Sequence, residues 1–263
     1  MRWMEGEGTA RAKGLAEVLN MGVHEVAELF RVAEEYVRAV ELLLRGEEPL
    51  PIPMLSLVRS IQEALLEVCW ATDPSINSPL RVARSAALFL RTVQGNIAPL
   101  KWFPGDAKLA EVWEAVDGAH RLLSDRGFTF QLDKSGKLVT SLAYGADSGT
   151  AAIKVNITKA ATRYMTGSEQ MWEVGSGATH SRKWFTGGLE GPEDLLYIMA
   201  VTPMFDFADA VIDNIHGYVG LSTEDFHTKT HFRRVALLQK DPRRNSAAAQ
   251  ASYADYAAKR AVK

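Results

Sequence analysis

Charged side chains at helical spacing make the stretch from Arg59 to Arg91 the first candidate for chemistry. Arg59 and Glu63 are four residues apart, so on a helix they lie one turn apart on one face. Arg81 and Arg84 follow on the next apolar run. One interpretation is an ion-pair network between two helices. The other is a pocket in which the three arginines hold an anionic substrate, while Glu63 orients an arginine or serves as a base.

A polar segment from Gly175 to Trp184 carries the second candidate. It is rich in Gly, Ser and Thr, and this composition predicts a loop between two helical regions. The segment contains His180, which can act as a general base or merely cap a helix. As part of a site, His180 would transfer protons and Trp184 would contact the substrate.

Acidic residues recur along an apolar stretch near residue 210, at Asp206, Asp209 and Asp213, with His216 after them. Like charges on one buried helix face raise each other's pKa values, which suits acid–base chemistry. Asp206 and Asp209 are therefore further proton-transfer candidates. If this helix face is exposed, the acidic residues only form its solvated surface and have no chemical role.

Two carboxylate–imidazole pairs, Asp117-x-x-His120 and Asp213-x-x-His216, offer a metal-binding alternative. Each pair lies on one face of a helix, and carboxylate-x-x-His motifs on two helices help to assemble di-iron sites in bundles. That pattern uses Glu rather than the shorter Asp. The main hypothesis therefore has no metal and no organic cofactor.

Apolar residues at three- and four-residue steps predict the helices that position these groups. The predicted helices share an apolar stripe and cover about residues 22–45, 54–72, 79–95, 105–124, 151–166 and 192–218. Thr202-Pro203 should interrupt the last of them. Weak alternation from Phe128 to Tyr144 predicts a hairpin or an irregular excursion. The expected fold is all-α, a bundle of about six or seven helices with a short irregular or hairpin insertion.

Charged residues are distributed unevenly along the 263-residue chain. The net charge of -2 provides no global field for nucleic acid or acidic lipid, so a nucleic-acid partner is not expected. From Lys229 onward, however, nine Lys and Arg residues face only Asp241 and Asp255. We therefore divide the sequence into a helical domain, 1–221, and a basic, alanine-rich C-terminal tail, 222–263.

The single cysteine, Cys69, lies in an apolar helical run, which excludes an intrachain disulfide and a thiolate metal cluster. No apolar stretch reaches the roughly 20 residues that span a bilayer, and the N-terminus lacks the apolar core of a signal peptide. These features predict a cytoplasmic protein without a membrane partner. A homodimer is also expected.

Several short motifs resemble those of a group of uncharacterised actinobacterial helical proteins. They are Arg59-x-x-x-Glu63-Ala64, Trp70-x-x-Asp73-Pro74, Arg81-Val82-Ala83-Arg84 and Ser176-Gly177-Ala178-Thr179-His180 followed by Trp184. The group is distantly similar to HEPN-type helical bundles, some of which are ribonuclease toxins. The catalytic motif of those nucleases, an arginine followed by four to six residues and then a histidine, does not occur in this sequence. The resemblance therefore implies a non-cleaving module.

Three classes of function follow from these patterns. The first is an enzyme without an organic cofactor that acts on a small anionic metabolite by acid–base chemistry, as in an elimination or a cyclisation of specialised biosynthesis. The second is a HEPN-like module that binds RNA or a partner protein through its basic tail. The third is a di-metal carboxylate bundle enzyme.

Overall fold

The structure is a computed structural model that describes residues 9–46, 50–100, 102, 106–145, 149–180 and 193–239. The chain divides into two units, one that ends at Val219 and one that begins at Gly220. Among the described residues, no helix combines the length and the apolar character that a membrane span requires.

Helices make up most of the first unit. They are α1 (Thr9–Leu44), α2 (Pro51–Ala71), α3 (Ser78–Gly95), the single turn α4 (Ile97–Leu100), α5 (Asp106–Asp125), α6 (Ile157–Tyr164), α7 (Gln170–Thr179) and α8 (Glu193–Val219). The second unit contains α9 (Glu224–Gln239). Strands β1 (Phe128–Leu132), β2 (Val139–Tyr144) and β3 (Ala151–Ala152) form an antiparallel sheet in that order. The predicted all-α fold with a short insertion is confirmed.

Local signals explain where several helices begin. Pro51 stands at the first position of α2, where its missing N–H costs nothing. The side chain of Asn77 accepts from the Leu80 amide at 2.9 Å and caps α3. Asn156 caps α6 in the same way through the amide of Lys159, at 3.0 Å. These bonds satisfy amides that would otherwise lack a partner at a helix start.

The central helix of the first unit is α2, which packs against α1, α6, α7 and α8. Its fully buried face includes Met54, Val58, Ile61 and Leu66 and forms the middle of one apolar cluster. A second cluster joins the first half of α1 to α3, α5 and the sheet. The long helix α1 supplies buried residues to both clusters and connects them.

Three predicted element bounds are wrong, each for a local or tertiary reason. The structure has the short strand β3 and a turn at 151–156, where helix was predicted, and α6 begins only after the Asn156 cap. Residues 175–179 are the end of α7 rather than a loop. The first helix begins at Thr9 rather than near residue 22, because Leu15 and Val18 extend its buried stripe.

The predicted interruption near Thr202-Pro203 is also absent, since α8 is one helix with Pro203 inside it. Proline removes one helical hydrogen bond. The buried side chains of Pro203, Ala200 and Phe207 pack around this point and offset that loss.

Candidate functional site

The site that the structure builds most clearly lies between α2 and α7. The Nε of Arg59 donates to Oε1 of Glu63 at 2.8 Å, and the Nε1 of Trp172 donates to the same oxygen at 2.9 Å. The guanidinium carbon of Arg59 lies 5.0 Å from the centre of the Trp172 ring. We call these three residues the Arg59 site. The spacing of Arg59 and Glu63 predicted their pairing, but Trp172 did not enter the predicted site.

Three polar atoms of the Arg59 site have no protein partner within the described part of the chain. They are Nη1 and Nη2 of Arg59 and Oε2 of Glu63. The side chains are 17% and 37% exposed, respectively, so both are reachable from solvent although held in place. A guanidinium whose position is set by one oxygen and one aromatic face presents its open edge in a fixed direction.

Gly175 explains how closely α7 approaches α2 at this site. A Cβ atom added to Gly175 would lie 2.5 Å from the Cβ of Arg59 and 3.0 Å from the Leu55 carbonyl oxygen. The missing side chain therefore lets the two helices approach until Trp172, about one turn earlier on α7, reaches Glu63. The glycine that suggested a loop in the sequence thus has a packing role inside a helix.

The other two predicted substrate-binding arginines lie at the α2–α3 corner, where Arg84 belongs to an internal network around Asp73, which is only 2% exposed. The Nη1 of Arg84 donates to the Trp70 carbonyl, lies 3.3 Å from the Tyr164 hydroxyl oxygen and 3.6 Å from Oδ2 of Asp73. Arg81 donates to the carbonyls of Ile76 and Pro74, and its guanidinium lies over the Tyr218 ring. Arg84 therefore lies beside a buried carboxylate, whereas Arg81 is held by two backbone carbonyls and an aromatic ring.

Asp73 collects donors from three directions. Ser75 donates its amide and its hydroxyl to Oδ1, at 2.9 and 2.6 Å, whereas Tyr164 and Arg163 donate to Oδ2, at 2.8 and 2.7 Å. Burial alone raises the pKa of Asp73, but these hydrogen bonds and the charge of Arg163 outweigh it, so the pKa lies below its ordinary value. Burial and the bond to Asp73 raise the pKa of Tyr164 to about 12. Asp73 is therefore ionised at neutral pH and forms a structural ion pair with Arg163.

The predicted proton-transfer residues of α8 lie at a different face of α2. Asp209 is 2% exposed. Asp206 accepts from the Ser168 hydroxyl at 3.1 Å, and the carbonyl of Ser168 accepts from the fully buried side chain of Gln62 at 3.0 Å. Gln62, Ser168 and Asp209 are buried here, and Asp206 is partly buried. Gln62 and Ser168 were not among the predicted residues, because a single polar position in an apolar stripe gives no chemical signal.

His180 follows the last residue of α7 and is exposed. Because Trp172 contacts Glu63 while Gly175, further along α7, approaches Arg59 and Leu55, α7 runs antiparallel to α2. His180 therefore lies toward the start of α2, away from Asp206 and Asp209. Trp184 lies outside the described residues.

The two carboxylate–imidazole pairs stand in different surroundings. His120 on α5 lies beside Phe130 of β1, with ring centres 5.8 Å apart, and burial lowers its pKa while the charge of Asp117 opposes that shift. Burial raises the pKa of the Cys69 thiol of α2, and the charges of Asp73 and, to a smaller extent, of Asp213 on the helix of His216 act in the same direction. Within the described ranges, no three His, Cys, Asp or Glu side chains form a group that could hold a metal ion.

Comparisons with protein-family models, with curated proteins and with solved structures give no match to this chain. The resemblance to HEPN-type bundles therefore stays a prediction.

Proposed function

We propose that the protein is an enzyme without an organic cofactor that acts on a small carboxylate-bearing metabolite by acid–base chemistry at the Arg59 site. One observation carries the proposal. Oε1 of Glu63 accepts both from Arg59 and from Trp172, whereas Oε2 of Glu63 and both terminal nitrogens of Arg59 have no partner among the described residues.

The open groups have complementary tasks. The two terminal nitrogens of a guanidinium form a planar edge that pairs bidentately with a carboxylate. A carboxylate oxygen beside that edge can take a proton from the bound molecule, provided that the reacting atom lies within hydrogen-bond reach. Arg59 thus holds the substrate and Glu63 Oε2 serves as the base. An elimination or a cyclisation can use one group that holds the substrate and a second group that accepts its proton.

Positioning also supports the proposal. A base and an anion-binding group work best when their orientation is set before the substrate arrives. Trp172 fixes both members at once, since its ring lies against the guanidinium of Arg59 and its Nε1 holds Glu63. By comparison, the Arg31–Glu35 pair on α1 has the same four-residue spacing, at 2.6 Å, but both side chains are more than half exposed.

The test is consumption of substrate by purified protein. A defined mixture of small hydroxy, keto and amino acids is incubated with the wild-type protein and with E63Q, and its members are measured by mass spectrometry. E63Q keeps an oxygen for Arg59 and Trp172 but loses the base. We expect at least one acid to be consumed by the wild type and its consumption to fall by about 100-fold or more in E63Q.

Two variants complete this experiment. R59K should raise the substrate concentration at which consumption is half-maximal, because an ammonium cannot reproduce the planar edge. E35Q removes the matched carboxylate of the α1 pair and should leave consumption unchanged. Equal consumption by E63Q and wild type, or none by the wild type, would refute the proposed function.

A further inference from the structure

We propose that the ligand of the Arg59 site is an α-amino carboxylate, a zwitterion whose two charges match those of Arg59 and Glu63. The inference rests on the proposed function, because it assigns the ligand class of the same site. It follows from which atoms of the site are already engaged and which remain open.

The engaged atoms determine the direction of approach. The Nε of Arg59 donates to Glu63, and one face of its guanidinium lies over Trp172. The edge formed by Nη1 and Nη2 is what an incoming group can reach. This edge has the geometry of a bidentate partner for a carboxylate, with two parallel donors. The carboxylate of the ligand therefore belongs at the end of Arg59.

Glu63 then decides which carboxylate is accepted. Its Oε1 receives two donors, whereas Oε2 receives none from the described residues. The shared hydrogen bond keeps Oε2 within a few ångströms of the open edge of Arg59. A simple carboxylate bound there would be attracted by Arg59 and repelled by Glu63, and the two effects largely cancel. Phosphate, with more negative charge, would be repelled more strongly.

An ammonium group beside the carboxylate removes this conflict. Its N–H donors reach Oε2 while the carboxylate pairs with Arg59, so every open atom of the site gains a partner of opposite charge. The same contact prepares the chemistry. Transfer of one proton from the ammonium nitrogen to Oε2 leaves a neutral amine and a protonated Glu63.

The experiment compares ligands that differ only in the ammonium group. The pairs are alanine with propionate, aspartate with succinate, and phenylalanine with 3-phenylpropionate. Binding to full-length protein labelled with 5-fluorotryptophan is followed by ¹⁹F nuclear magnetic resonance. The Trp172 signal is identified by its loss in W172F. In at least one pair we expect the amino acid to bind about tenfold more tightly than its partner, as a charge-assisted hydrogen bond implies.

Variants make the outcome decisive. In E63Q the preference for the amino acid should disappear and the simple carboxylate should bind more tightly than it does to the wild type, whereas E35Q should keep the wild-type preference. If simple carboxylates shift the Trp172 signal as strongly as amino acids do, the inference fails while an anion site at Arg59 survives. If neither kind shifts the signal, the proposed function fails with it.

Discussion

Asp73 is the residue whose replacement should cost the most among the polar side chains described. It is buried and accepts from Ser75, Tyr164 and Arg163. Asp73→Asn removes the charge that balances Arg163 and the nearby Arg84. We expect the free energy of unfolding to fall by about 3 kcal/mol, as when one partner of a buried ion pair is lost. Urea denaturation measures this change.

A less buried aspartate provides the control for Asp73. Asp133 accepts from the Ser135 hydroxyl and from the amides of Lys137 and Leu138, in a turn open to solvent. Asp133→Asn should change stability far less than Asp73→Asn. Equal losses in the two variants would show that burial and the arginines contribute little at Asp73.

Acid should remove the contribution of Asp73. Its pKa is lower in the folded state than in the unfolded chain, so as pH falls the unfolded state binds the proton first and gains stability. The difference in unfolding free energy between wild type and Asp73→Asn should therefore be constant above about pH 4 and shrink below it. Glu67 behaves in the opposite sense, because burial raises its pKa, but it is present in both proteins and cancels. A difference that grows as pH falls would contradict this sign.

At the scale of single residues, the sequence predicts pairs within one element better than pairs between elements. Arg59 and Glu63 could be matched by spacing alone, since four residues make about one helical turn. Trp172 is 109 positions from Glu63, and no spacing rule connects them. Arg81 and Arg84 had the right residue type for an anion site, but the buried carboxylate that engages Arg84 became visible only in the packed α2–α3 corner.

At the scale of the helices, the contact between α7 and α2 at Gly175 gives the most specific prediction. Gly175→Ala places a methyl group 2.5 Å from the Cβ of Arg59, so α7 must move away from α2. Overpacking of this kind costs about 1–3 kcal/mol, which exceeds the gain of about 1 kcal/mol that alanine brings to a helix interior. We expect a less stable protein with a changed ¹⁹F signal for Trp172.

The matched variant for this experiment is Gly118→Ala on α5. Gly118 is also inside a helix, but a Cβ there would meet no atom within 4 Å. This substitution should stabilise the protein by up to about 1 kcal/mol. If Gly175→Ala also stabilises it, the close contact between α7 and α2 is not the reason for the glycine.

Periodicity predicted most helices because each buries one stripe, and it failed where tertiary contacts override local preference. The glycines of residues 175–179 lower helix propensity, yet packing on α2 keeps the segment helical. Pro203 should break α8, yet buried neighbours hold the helix on both sides. At residues 151–156 the error had a local cause, because Val155 disfavours helix and Asn156 is an effective cap.

At the scale of the whole molecule, the described core belongs to the first unit. Both apolar clusters consist of residues that precede Gly220, and α1 contributes to each of them. Two clusters connected by one continuous helix should unfold together rather than in steps, because disruption of either removes packing from α1.

A protein that ends at Gly220 should therefore fold and unfold like the full chain. The deletion removes α9 and the basic tail but none of the described members of the two clusters. We expect a single unfolding transition in urea, with a midpoint close to that of the full-length protein. The slope of the transition reports the surface exposed on unfolding, so it should decrease only in proportion to the residues removed. If the shortened protein unfolds in two steps, or at a much lower urea concentration, the segment after Gly220 stabilises the helical unit and the boundary lies elsewhere.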